Sequence, residues 1–202
     1  MENIKIVREE LLSDNWYTLK KYTYEIIKTD GRHQEQTREV YDRGNGAVIL
    51  LYNNSLKTVI LTRQFRLPSF VNGNKKGLLI EACAGLLDQD NPEEAIRRET
   101  EEETGYRIHE VRKIFEAYMS PGSVSEILYF FIAEYTPSMK VAEGGGIEHE
   151  QEDIEVLEMP FEKAFGMIET GEIRDAKTIM LLQYMKINQT VNGKRPTPNA
   201  QR

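Results

Sequence analysis

Arg98-Glu99-Thr100-Glu101-Glu102-Glu103-Thr104-Gly105-Tyr106 is the stretch on which the reading of this chain turns. Asn91 stands before it as an N-cap and Pro92 as a first helical residue. Glu93 and Glu94 suit the positive end of a helix dipole, and Gly105 closes the element. Each residue of such a helix advances by about 100°. With Arg98 at the origin, Glu102 falls near ~40°, Glu99 near ~100° and Glu103 near ~140°. Three carboxylates and one guanidinium therefore share a face. Like charges four residues apart, as at Glu99 and Glu103, repel, and the repulsion grows with burial. A multivalent cation reverses its sign. Hard oxygen ligands clustered in this way suit Mg²⁺ or Mn²⁺, with Arg98 bracing Glu102 from behind. The competing reading is a solvated acidic face, the ordinary fate of a charge run. Context favours the metal: a glycine-containing turn is expected to leave a strand at Ala84-Gly85, a few residues before the helix, where backbone can approach the same ion.

Working outward, the first third reads as β. Short segments at 4–11, 17–29 and 35–42 carry β-branched and aromatic residues, with Asp30-Gly31 as a turn. Ala47–Tyr52 and Thr58–Phe65 read as strands joined through Asn53-Asn54-Ser55, and Leu78–Ala84 as one further strand. Beyond the acidic helix, strands are expected at 111–119, 126–135 and 154–158. A polar, acidic loop at 138–153 contains Gly144-Gly145-Gly146. Helices follow near 160–169 and 173–187, and a polar tail from Thr190 to Arg202 is expected to be mobile.

Composition excludes several classes. The chain has 202 residues, 40% hydrophobic and 29% charged, enough for a core and too apolar for disorder by default. A net charge of −7 argues against broad binding to nucleic acid or to an anionic membrane. No apolar run approaches a membrane span. The N-terminus lacks the pattern of a signal peptide. One cysteine, Cys83, allows no intramolecular disulfide, so a cytoplasmic setting is expected, and the thiol reads as a small buried hydrophobe. An anionic ligand on so acidic a chain needs metal ions and locally placed arginines.

Gly85 followed by Arg98-Glu99-x-x-Glu102-Glu103-x-Gly105-Tyr106 resembles the Nudix box, with Thr100 at its usual aliphatic position and Asn91 where its first glutamate would fall. The resemblance extends through Glu39–Ala47, Arg63–Arg66, Ile80–Asp88, Tyr118–Gly122 and Gly171–Asp175 to the GDP-mannose pyrophosphatase branch, a relative of the ADP-ribose pyrophosphatases. It implies an α+β fold: a Nudix α/β/α sandwich over 43–189, with an N-terminal antiparallel β subdomain over 1–42 that helps to form a homodimer. It also implies Mg²⁺-dependent hydrolysis of a nucleoside diphosphate sugar, GDP-mannose to GMP and mannose 1-phosphate. ADP-ribose hydrolysis and a non-catalytic nucleotide-sugar sensor are the alternatives.

By matching positions, the resemblance gives the Ala84 carbonyl, Glu99, Glu103 and Glu102 as metal ligands. Substrate contacts fall on Trp16, Arg38, Glu39, Arg66, Gly85, Leu86, Glu126 and Lys177. Glu152 is the catalytic carboxylate of the acidic loop, with Glu150 its competitor, and Glu102 and Arg98 complete the catalytic set. Each has a bland alternative on the residues alone. Trp16 reads as core, Arg38 and Arg66 as surface ion-pair partners, and Lys177 as a solvated helix lysine. His33, His109 and His149 show no ligand spacing and read as surface residues.

Overall fold

A computed structural model describes residues 3–87, 90–147 and 152–192. Its first sheet is an antiparallel meander of β1 (Ile4–Asp14), β2 (Thr18–Ile27) and β3 (His33–Asp42). Gly31 makes the second turn with φ of 81°, a conformation open to glycine at no steric cost. No residue of these three strands is fully buried. Ile4, Ile6 and Leu11 are more than half exposed, and Trp16 is 80% exposed, so the core reading of Trp16 does not hold. The sheet is joined to the rest of the chain at its end, where Tyr41 N–H donates to the Ser123 carbonyl and Ser125 N–H to that of Tyr41.

The second sheet is mixed, with strand order β10-β5-β4-β9-β8. Its strands are β4 (Gly46–Asn53), β5 (Thr58–Phe65), β6 (Leu78–Glu81), β7 (Cys83–Leu86), β8 (Arg112–Tyr118), β9 (Ile127–Glu134) and β10 (Glu155–Pro160). Only β4 and β9 run parallel. The apolar run of β4 is buried on both faces, as expected for a strand covered on two sides. Val48 and Leu50 meet the helices α3 (Phe161–Glu169) and α4 (Ala176–Asn192) through Phe161, Leu181 and Leu182. Ala47, Ile49 and Leu51 turn the other way, towards Ala95 and Ile96 of α2 (Pro92–Thr104). Helices thus cover both faces of the sheet, and the expected sandwich is the observed architecture.

One feature of the sheet positions the site. β4 and β5 pair only over Leu51–Asn53 and Thr58–Ile60, next to their connecting turn. Beyond that they part. β6 pairs with β5 and β7 with β4, so the segment from Leu78 to Leu86 crosses the fork. The single strand expected over Leu78–Ala84 is therefore two strands, broken at Ala82. The Ala82 N–H, lost to the ladder, donates instead to Thr178 Oγ1 at 2.7 Å. Gly85 lies within β7 rather than in a turn. The structure also adds α1 (Leu67–Val71), a helix too short to show a period. α4 starts at Ala176, three residues later than expected, because Asp175 Oδ2 caps it by accepting from Thr178 N–H. Of the tail, residues 193–202 lie outside the described ones.

The turn at the closed end of the fork rests on Asn53. Its Oδ1 accepts from Ser55 and Leu56 N–H at 2.9 and 2.8 Å, and its amide donates to the Tyr135 carbonyl at 3.0 Å. Asn53→Ala should lower stability by about 1–3 kcal/mol, because the buried Tyr135 carbonyl and the N–H groups of the turn lose their bonds. Urea denaturation would read it. The site at the fork's mouth should be little affected, since the turn lies at the opposite end of β4.

Candidate active site

At that mouth, α2 packs across β7. Asn91 Oδ1 accepts from Glu93 and Glu94 N–H, both at 3.0 Å, so the residue standing in place of the first box glutamate serves as the helix cap. Thr100, at the usual aliphatic position, is fully buried and returns its hydroxyl to the Ile96 carbonyl at 2.6 Å. The acidic face divides as its angles require. Glu101 points away and is held bidentately by Arg107 at 2.6 and 2.8 Å. Arg98 lies between Glu99, at 3.1 Å, and Glu102, at 3.6 Å. It therefore braces both carboxylates rather than Glu102 alone.

Glu103 is the deepest, 2% exposed, and its Oε2 has no hydrogen-bond partner among the described residues. Burial pushes its carboxyl up to about 8. The Cys83 thiol draws it back by hydrogen bonding, Glu152 and Glu99 push it further up, and Arg66 opposes them. Cys83 itself is buried, as expected, and its thiol is raised by that burial and by the neighbouring glutamates. Glu99 lies against Gly85 so closely that a Cβ there would overlap its carboxylate. The glycine is needed for space, and β7 backbone reaches the acidic face as the sequence suggested.

Glu152 comes to the same place. Its Oε2 accepts from Ile147 N–H at 3.1 Å, and its charge is felt at Glu103. The loop before it is tied to the end of α2: Gly145 N–H donates to the Glu103 carbonyl and Gly146 N–H to that of Glu102, at 2.9 and 3.2 Å. Its competitor Glu150, like His149, lies outside the described residues. His33 and His109 are on the surface.

A second group of charges stands at the fork. Arg66 donates through Nε to Glu81 Oε2, and Lys177 through Nζ to Glu81 Oε1, each at 2.7 Å; Lys177 also donates to Asp175 Oδ1 at 2.8 Å. Burial alone would raise the Glu81 carboxyl, but Lys177 and Arg66 outweigh it and hold the group below the usual range. The reading of Lys177 as a solvated helix lysine is overturned, since its side chain is only 14% exposed. On the far side of Gly85, Glu126 approaches Gly46 and lies 3.5 Å from Arg43, whose guanidinium stands 5.6 Å from the Tyr17 ring centre. Tyr17 in turn neighbours Trp16 and Tyr41.

Residues 42–182 match the family model described as the NUDIX domain. The chain belongs to the Nudix family. Residues 3–41 match a second model, described as the GDP-mannose pyrophosphatase NudK N-terminal domain. A protein from Salmonella arizonae named GDP-mannose pyrophosphatase is 56% identical over 187 residues, 93% of this chain and 97% of that one. Proteins of the same name from Escherichia coli and Shigella dysenteriae are 57% identical over 187 residues and 55% over 191, covering 97% and 99% of their lengths.

Nudix hydrolases work with a divalent metal, and the residues here fit one. A buried carboxylate oxygen without a partner, beside two further carboxylates, is a hard, anionic pocket in search of positive charge. Among the described residues, no three acidic, histidine or cysteine side chains already converge as a complete cage. Remaining ligands would come from backbone oxygen, water and substrate, as Mg²⁺ sites usually arrange. This Nudix chain thus gathers Glu99, Glu102, Glu103, Gly85, Arg98 and Glu152 at one site, with Arg66 and Lys177 at the adjoining fork. Leu86 ends β7 opposite Gly46, close to Glu126. Arg38 and Glu39 are not brought there within one chain: both are exposed on β3, and among the described residues Arg38 bonds to Thr37 and Gln36. Sequence reasoning missed Glu81, Asp175 and Arg43. A lone acid in the apolar run Leu78–Ala84 was the available signal for Glu81, because carboxylates are almost never fully buried unless paired.

Glu103→Gln should keep the fold and cut turnover by more than about a hundredfold, since it takes a hard carboxylate oxygen out of that pocket. The metal-free protein offers a second readout. A carboxyl at about 8 in the fold and 4.5 when unfolded binds more protons folded, so it makes stability fall as pH rises between those values. Thermal melts should show that the variant loses this part of the decline and gains a few degrees at pH 8, at roughly 2–4 °C per kcal/mol.

Proposed function

We propose that this enzyme hydrolyses the pyrophosphate bond of a nucleoside diphosphate sugar, GDP-mannose to GMP and mannose 1-phosphate, with Mg²⁺ or, in its place, Mn²⁺. The observation that carries the reading is the buried Glu103 carboxylate, whose Oε2 has no partner among the described residues and which feels the charges of Glu99, Glu152 and Arg66. The names of the relatives support the choice of substrate, and their likeness runs over both sheets.

Glu99, Glu103, Glu102 and the Ala84 carbonyl would hold the metal. When bound, it neutralises diphosphate charge and makes a ligated water more acidic. Arg98 keeps Glu99 and Glu102 apart from one another and orients both. Arg66 and Lys177 bind diphosphate oxygens, Arg66 as a fork and Lys177 as a point charge. Gly85 and Leu86 let backbone approach the substrate, Glu126 accepts from a sugar or base donor, and Trp16 stacks on the base. Glu152 takes the proton of the attacking water. The water oxygen bonds to one phosphorus as the bridging P–O bond breaks, so the two phosphates leave as separate monoesters.

The N-terminal sheet completes the picture as a homodimer contact. A three-stranded sheet with no buried residue and with exposed Ile4, Ile6, Leu11 and Trp16 gains stability only by covering that surface. Arg38 and Glu39 then serve the partner's site. No described helix is long and apolar enough to cross a membrane. The proposed setting is the cytoplasm, which suits a free cysteine and no disulfide.

A panel of nucleotide sugars with Mg²⁺, read by chromatography, should show GMP and mannose 1-phosphate forming fastest from GDP-mannose. Absence of turnover across the panel would overturn the reading. Glu152→Gln should lower kcat by about 10²–10⁴-fold at nearly constant KM, and a fall of less than threefold rejects its role as base. Light scattering at micromolar concentration should give twice the 23.4 kDa chain mass, whereas a fully active monomer would contradict the assembly.

A further inference from the structure

The charges at the fork form a closed arrangement. Arg66 and Lys177 both donate to Glu81, Lys177 also donates to Asp175, and Asp175 caps α4 through Thr178. Thr178 Oγ1 in turn receives the N–H of Ala82, the residue next to Glu81. Two cations and two carboxylates are thereby gathered where β6 gives way to β7. Such a group is weak evidence for stability, because taking charges out of water offsets their attraction. Its asymmetry points to another purpose. The Glu81 side chain is 4% exposed and Arg66 is 39% exposed. Only Arg66 Nε is engaged; among the described residues its two terminal nitrogens make no further hydrogen bond. The guanidinium is thus clamped through Nε while its terminal nitrogens stay open, near enough to the acidic helix for its charge to be felt at Glu103. An outward-facing pair of N–H₂ groups is the geometry that meets two oxygens of a diphosphate.

We infer that Glu81 is a positioning residue, which clamps Arg66 through Nε so that its free donors meet the substrate's diphosphate, while Lys177 keeps a second anchor in Asp175. The inference rests on the hydrolytic reading above. Glu81 itself touches no substrate. It fixes the rotation of the guanidinium, which would otherwise turn about a flexible stem, and it does so without neutralising the outer donors. Lysine at position 66 could supply charge but has no second edge to be held by.

The test is a double-mutant cycle on nucleotide-sugar turnover, with melting temperatures measured alongside. Glu81→Gln in the otherwise native enzyme should lower kcat/KM at least tenfold, chiefly by raising KM, because the diphosphate carries its charge before the transition state. In the Arg66→Ala background the same change should matter less than threefold. A loss smaller than tenfold in the native background, or a loss of threefold or more without Arg66, overturns the inference. If Glu81→Gln does not fold, Arg66→Lys decides. A variant as impaired as Arg66→Ala supports the clamp, and one within threefold of the native enzyme refutes it. An inactive native enzyme would instead sink the substrate reading. The clamp is then judged by the same cycle on the dissociation constant of inorganic pyrophosphate with saturating Mg²⁺, measured by calorimetry against the same thresholds.

Discussion

The structure depends on the parting of β4 from β5. Two neighbouring strands that stop pairing leave backbone donors and acceptors to be met, and a buried segment cannot leave them unmet. Here β6 and β7 take up the two open edges, with a break between them at Ala82. That break sets the rest. It turns Cys83 and Gly85 towards α2, where they meet Glu103 and Glu99. It brings Glu81 between Arg66, on the chain leaving β5, and Lys177, on α4. It also fastens α4 to the sheet through Thr178. An acidic helix, a basic fork and a glycine-lined backbone thus adjoin because one segment has two partners.

Electrostatics within this frame run in opposite directions on the two sides. Along α2, carboxylates become progressively buried from Glu102 to Glu99 to Glu103, and burial, with the charges of Glu152 and Glu99, pushes the deepest carboxyl up. At the fork, every buried carboxylate has a cation, and Glu81 stays charged. The first arrangement is unfavourable until positive charge arrives, and the second is satisfied beforehand. A chain with net charge −7 can therefore receive an anionic substrate, because its cations near the site are few and fixed in place.

The loop with Gly144, Gly145 and Gly146 links position to chemistry in another way. All three glycines have positive φ, and Gly145 and Gly146 take up carbonyls at the end of α2. Cβ atoms at Gly144 or Gly146 would collide with helix backbone or with Glu152. The same residues that close the helix therefore set where Glu152 enters the site. The first part of the polar, acidic loop expected over 138–153 is thus anchored by backbone bonds.

The sequence by itself determined the acidic helix and the main strands, and its family resemblance implied the sandwich. Cap residues, the spacing of Glu99, Glu102 and Glu103, and the apolar run of β4 are local signals, and local signals survive in one dimension. Burial was another matter. Trp16 and Lys177 exchange the places their types suggest, the tryptophan exposed and the lysine enclosed, because each is governed by neighbours far along the chain. The same holds for the split at Ala82, which depends on which strand edge lies free, and for Glu81, whose two cations come from 15 and 96 residues away. Hydrogen bonds and ion pairs between distant segments leave no period in the sequence. Only the folded chain decides which carboxylate finds a cation and which is left waiting for one.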